Sequence, residues 1–162
     1  RRDWSGSQLC DRDDAGDGLM SDWARVARER FKWLERVAEL RGVSVRTSSC
    51  EGGIKWGDEG GCRAIQIDVG ADTAKWGRWL LDVAGADIGA DIAACKWMAA
   101  CWILLRELGI AEGASAAEAD AFARRILAEL TIDNLMTEQE AAALCERIAR
   151  ETISEGTEKL LH

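Results

Sequence analysis

Asp91-Ile-Ala-Ala-Cys-Lys-Trp-Met-Ala-Ala-Cys-Trp-Ile-Leu-Leu-Arg-Glu-Leu108 is the stretch on which the fold turns. Between Trp97 and Leu105 apolar side chains occupy nearly every face, and a helix that is apolar all round has to be enclosed by other elements. Asp91 and Lys96 would each cost about 2.5–3.5 kcal/mol at a bilayer centre, so the stretch reads as the buried helix of a globular domain and not as a membrane span.

Upstream, the helical period starts after Gly70, with Asp72 or Thr73 as N-cap, and runs from Ala74 towards Gly109, the predicted stop. Gly85-Ala-Asp-Ile-Gly89-Ala-Asp-Ile92 repeats with a period of four, and the chain is expected to bend or break there into two helices. On a helix this spacing stacks Gly85 over Gly89, where another backbone can approach closely, and Asp87 over Asp91, a like-charge pair that calls for a compensating group. These four residues are the candidate helix-packing or dimer contact.

Downstream, Ser115 with Glu118 and Thr137 with Glu140 are capping boxes that start two further helices, read as an αα-hairpin. Ala119, Phe122, Ile126 and Leu130 line one face of the first, and Leu144, Cys145, Ile148 and Thr152 line the second. Near the start of the chain, Ser21 caps a helix that carries Trp23, Val26, Ala27, Phe31, Leu34, Val37 and Ala38 at three- and four-residue spacing and ends before Gly42.

From Val43 the period changes to two. Val43 and Val45, then Ile65, Ile67 and Val69, alternate with polar or small residues as half-buried strands do, and glycine pairs between them mark turns around a short strand at Ile54 to Trp56. The expected fold is mainly α (α+β): about five helices around a central buried helix, with a small antiparallel β-ribbon inserted after the first. Residues 1–20 read as an irregular polar arm, and 21–162 as a single helical domain with the ribbon at 43–69. Most of the eight tryptophans are expected in the core.

At 162 residues, with 48% hydrophobic and 31% charged side chains, the chain has about one domain's worth of material. The net charge of −8 is uneven: residues 1–48 carry 10 basic and 9 acidic side chains, residues 49–162 carry 11 and 20. A bulk charge of this sign repels phosphate, so nucleic-acid binding would need a local basic face. The first helix supplies the one candidate, with Arg25, Arg28, Lys32 and Arg36 opposite its apolar stripe and Trp33 near the border, although Glu29, Glu35 and Glu39 interleave. Helix, antiparallel strands, helix is also the element order of the double-stranded-RNA-binding domain, but Ala71-Asp-Thr-Ala-Lys-Trp-Gly stands where that domain's second helix would start with a lysine cluster.

The six cysteines form no C-x-x-C pair and the sole histidine is His162, which leaves no zinc signature and no Ser-His or Cys-His couple. Cys50 and Cys62 flank a glycine-rich turn that a disulfide between them would staple; the cysteines within helices read as small core residues. Asp11-x-Asp13, Asp17 and Asp22 resemble part of a calcium loop, but Ala15 stands where an oxygen ligand belongs and Asp22 where a glutamate is preferred. The glycines around Trp56 lack the order of a phosphate loop, and carboxylates such as Asp58 and Glu59 suit a turn as well as acid–base work.

Lys55, Trp56, Asp58 and Glu59, between glycine pairs, read as a ribbon tip whose tryptophan anchors another protein. By elimination the expected function is a non-enzymatic regulatory or inhibitory protein–protein interaction module, homodimeric, cytoplasmic, without cofactor and without a membrane partner. The alternative is a nucleic-acid-binding regulator using residues 23–41, and the third a weak calcium-binding arm.

Overall fold

The computed structural model describes residues 21–49, 53–84, 91–131 and 136–161. Its elements are α1 (Asp22–Leu40), β1 (Val43–Ser48), β2 (Ile54–Glu59), β3 (Cys62–Asp68), α2 (Ala71–Ala84), α3 (Ile92–Ala111), α4 (Ala116–Glu129) and α5 (Glu138–Leu161). The protein is mainly α with a small three-stranded sheet after the first of these helices.

Helix α3 is the centre: α1, α2 and α4 all pack directly on it. From Ala94 to Leu105 only Lys96 escapes burial, as an all-round apolar surface requires. Its start is Asp91, whose Oδ1 accepts from Ala94 N at 3.0 Å and whose other oxygen accepts from Ser21 Oγ. Ser21 in turn caps α1 by accepting from Ala24 N at 3.0 Å, so one hydroxyl–carboxylate contact joins two helix starts. Asp91 is therefore the helix cap; Gly85, Asp87 and Gly89, the other members of the expected packing contact, lie outside the described residues.

Helix α3 also runs past its expected stop. Gly109 is helical and lies against α4, where a Cβ would come within 3.2 Å of Ala119 Cβ; the helix runs on to Ala111 and the chain turns at Gly113, with φ +106°. Likewise α2 begins at Ala71, before either expected cap, with Thr73 Oγ1 donating to Gly70 O at 2.6 Å. The close backbone approach falls at Gly77: a Cβ there would lie 1.7 Å from Cys95 O, so α2 and α3 touch main chain to main chain.

Both predicted caps form. Glu140 N donates to Thr137 Oγ1 at 3.2 Å while Thr137 N donates to Glu140 Oε2 at 3.1 Å, a reciprocal capping box; Glu118 N donates to Ser115 Oγ at 3.2 Å, and that hydroxyl donates to Glu118 Oε1 at 2.7 Å. Helices α4 and α5 are joined at the surface by Arg125–Glu151 and Arg147–Glu129, but the tighter packing of α5 is against α1. Arg41, buried at the end of α1, fastens three elements: its Nε donates to Glu112 at 3.1 Å and its Nη1 to Ala149 O of α5 at 3.0 Å.

The sheet departs from an all-antiparallel ribbon. Its order is β1-β3-β2, with β2–β3 antiparallel and β1–β3 parallel. Glu59-Gly60-Gly61-Cys62 makes the hairpin, both glycines having positive φ (59° and 86°), as the tight turns that match strand twist demand. Strands β1 and β2, consecutive in the chain, are not neighbours, and β3, the strand with the most apolar run, lies between them. A middle strand has neighbours on both sides, so Ala64, Gln66 and Asp68 are buried along with Ile65 and Ile67. The parallel pair also separates this sheet from the antiparallel strands assumed in the RNA-binding-domain comparison.

Candidate interaction surface

Strand β2 is an edge strand, exposed along nearly its whole length. Asp68 N donates to Gly53 O at 3.1 Å, which makes Gly53–Asp68 a hydrogen-bonded pair and, by alternation, Lys55–Gln66 and Gly57–Ala64 as well. Ile54, Trp56 and Asp58 consequently direct their backbone N–H and C=O groups away from β3.

Lys55, Trp56, Asp58 and Glu59 thus sit in a strand rather than at a tip, which is Gly60–Gly61. Strand alternation divides them between two faces. Trp56 lies on the helix side: its Nε1 donates to Glu107 Oε1 of α3 at 3.0 Å, and the Arg63 guanidinium covers its ring at 5.1 Å. Lys55 and Glu59 lie on the other side, where Glu59 Oε2 accepts from Arg46 Nε at 3.0 Å and that bond holds its carboxyl below the usual range. Asp58 and Glu59, on opposite faces, do not converge on one substrate atom.

The helix side of β2 continues into an aromatic surface that the sequence reading assigned to the core. Of the seven tryptophans within the described residues, only Trp97 and Trp102 are buried; Trp33 is half-buried, and Trp23, Trp56, Trp76 and Trp79 are exposed. Trp76 and Trp79 of α2 leave 49% and 47% of their surface open. Trp76 packs on Trp102 at a centroid distance of 5.0 Å. Trp102 Nε1 donates to Asp120 Oδ1 at 3.0 Å, Asp120 Oδ2 accepts from Arg124 Nε at 2.9 Å, and Arg124 lies over Trp79 at 4.6 Å. Arg106 covers Trp102 at 5.3 Å. The open rings are therefore held in place by a polar frame underneath.

Two depressions flank the Trp56–Glu107 bond. One, of about 290 Å³, is lined by Ile54, Thr73, Trp76, Trp102, Ile103 and Arg106; the other, of about 360 Å³, by Trp56, Asp58, Arg63, Glu107 and Ile110. The first is bounded by residues of α2, α3 and the sheet and is mainly apolar, with Arg106 at its wall; the second, bounded by α3, β2 and β3, mixes polar and apolar side chains.

The basic face of α1 is more engaged than its sequence implies. Arg28 lies over Trp97 at 5.3 Å, and Arg30 is buried against Trp33 at 4.5 Å, covering a ring face that a base would stack on. Arg25 pairs with Asp22 of its own first turn. Lys32 and Arg36 remain exposed, beside exposed Glu29 and Glu39. Asp22 is the one calcium candidate within the described residues; Asp11, Asp13 and Asp17 lie outside them, as does Cys50. Cys62 is an exposed free thiol, while Cys95, Cys101 and Cys145 are buried.

No helix among the described residues is long and apolar enough to cross a membrane. No family model, curated protein or solved structure gives a significant match to this chain.

Proposed function

We propose that the chain is a non-enzymatic regulatory module that binds another protein through the aromatic surface of α2 and the neighbouring depression. The observation that carries this reading is the pair Trp76 and Trp79, half open to solvent yet fixed from below by Trp102, Asp120 and Arg124. Tryptophans dominate interface energetics because they remove a large apolar area from water at low cost in rotamer freedom, and a framed ring has less freedom left to lose. The depression of about 290 Å³ beside Trp76 offers room for one partner side chain, with Arg106 at its wall to receive a carboxylate or carbonyl.

The test is quantitative capture from the source cells with wild type and with Trp76→Ala, Trp79→Ala, followed by reconstitution of any recovered protein in purified form. The double variant is expected to weaken the reconstituted complex by at least about 100-fold, since hot-spot truncations cost about 2 kcal/mol or more, while its melting temperature stays within a few degrees of wild type. Equal binding by both forms refutes the assignment. Recovery of nucleic acid that is lost on Arg28→Glu, Lys32→Glu instead moves the function to α1.

A further inference from the structure

We propose that the depression of about 290 Å³ beside Trp76 is a binding site for a small aromatic carboxylate, with the ring on Trp76 and the carboxylate on Arg106. This goes beyond the protein-binding reading and does not depend on it, since such a ligand needs no partner chain.

The first argument is size and wall. A volume of about 290 Å³ holds about ten water molecules at roughly 30 Å³ each, and stands at the lower end of small-molecule pockets, which span roughly 300–1,000 Å³. It suits a ligand of about ten non-hydrogen atoms. Two indoles, Trp76 and Trp102, meet at 5.0 Å with their planes tilted by 36°, and Ile54 and Ile103 complete the apolar wall. Trp102 is buried, whereas Trp76 leaves 49% of its surface open, so Trp76 is the ring that a planar ligand can cover. Offset stacking rewards an aromatic occupant beyond the apolar area that an aliphatic one of equal size would bury.

The second argument is the guanidinium. Arg106 is half-buried and lies over Trp102 at 5.3 Å, yet none of its five N–H groups makes a hydrogen bond among the described residues. Its ion pair with Glu107 Oε2, at 4.0 Å, is past hydrogen-bond reach, and Glu107 Oε1 is occupied by Trp56 Nε1 at 3.0 Å. The other carboxylates near this wall are turned elsewhere. Asp120 accepts from Trp102 Nε1 and Arg124 Nε. Asp68 also borders the depression, but its carboxylate lies against Gly70, where an added Cβ would meet the two oxygens at 3.2 and 3.3 Å. Strand alternation sets it on the face of Gln66, opposite Ile67 and the helices. Thr73 gives its hydroxyl proton to Gly70 O and keeps only lone pairs, which repel an anion and leave Arg106 as the anchor. A guanidinium laid on an indole with its donors unused matches the planar carboxylate, which accepts two parallel N–H bonds. A neutral ring leaves those donors unused, and a cationic one meets like charge.

The experiment is titration of the full chain, followed by the indole N–H resonances, with three compounds of equal size: benzoate, benzamide and cyclohexanecarboxylate, each to about 20 mM at constant ionic strength. Benzoate is expected to saturate with a dissociation constant below about 5 mM and to shift the Trp76 and Trp102 signals while those of Trp23 and Trp97 hold. Benzamide, which keeps the ring and loses the charge, is expected to bind at least about tenfold more weakly. Cyclohexanecarboxylate, which keeps the charge and loses the ring, is expected to bind at least about twofold more weakly. Arg106→Gln should erase the preference for benzoate over benzamide and leave the weak stacking of either. The comparison of the three compounds on wild type decides the matter should that variant fail to fold. No saturable shift at Trp76 and Trp102 overturns the proposal, as does equal binding of benzoate and either analogue, or a benzoate preference that survives in a folded Arg106→Gln. No second protein enters the titration, so its failure leaves the protein-binding reading to its own test.

Discussion

Helix α3 meets two very different neighbours. Towards α1 it is sealed: Trp97 packs against Phe31 at 5.5 Å, Arg28 lies over its ring, and only 4% of the residue remains accessible. Towards α2 and β2 it is left unfinished: Trp102 is equally buried, but Trp76, which packs on it, and Trp79, Ile54 and Trp56 are exposed. The same residue types line both sides. What differs is the neighbour: α1 spends 19 residues covering one side, whereas a 14-residue helix and a six-residue edge strand cover the other. The side with apolar surface to spare is where a partner gains most by docking.

The contrast is sharpest when each side is damaged in turn. Gly77→Ala should be the most harmful change, because its new methyl would overlap the Cys95 carbonyl and force α2 off α3; a loss of about 3 kcal/mol or more, read as a fall of about 10 °C in melting temperature, is expected. A variant that melts like wild type would mean that α2 is not seated as described. Arg41→Ala comes next, at about 2–3 kcal/mol by thermal or urea unfolding, because it strips Glu112 and the Ala149 carbonyl of a buried cation that ties α1 to α3 and α5.

Alkaline titration has a smaller effect confined to the sealed interior. Burial pushes the Cys101 thiol far above its ordinary value and raises that of Cys145, so the folded state holds protons that the unfolded chain releases at about pH 8.5. The stabilisation is whole below that pH and is lost as pH rises, so the melting temperature should decline from about pH 8 to about pH 10. Cys101→Ala should flatten the decline. Native alkylation mapped by mass spectrometry is expected to mark Cys62 and spare Cys101; the opposite pattern would remove the distinction between interior and surface.

Features that depend on a residue and its near neighbours in the chain were readable in advance. Ser21, Ser115 and Thr137 satisfy orphan amides three residues away, and Gly60–Gly61 supplies positive φ within a four-residue turn. The burial of α3 was equally legible, because a helix without a polar face has no other place to go. Trp76 and Trp79 were not, since an indole's hydrophobicity states what burial would gain and not whether another element is available to bury it. Gly77 escaped notice and Gly109 was read as a stop for a related reason: the packing role of a helical glycine shows only once Cys95 or Ala119 is found against it.

The sequence by itself determined the helices, the starts of α1, α4 and α5, the hairpin turn and the identity of the central element, all of which rest on periodicity and short-range hydrogen bonding. Tertiary structure alone decided that β3 separates β1 from β2, that Asp91 serves two helix starts, and that four tryptophans face outwards. Those outcomes depend on which surfaces compete for the same space, a competition between residues distant in the chain that no local pattern encodes.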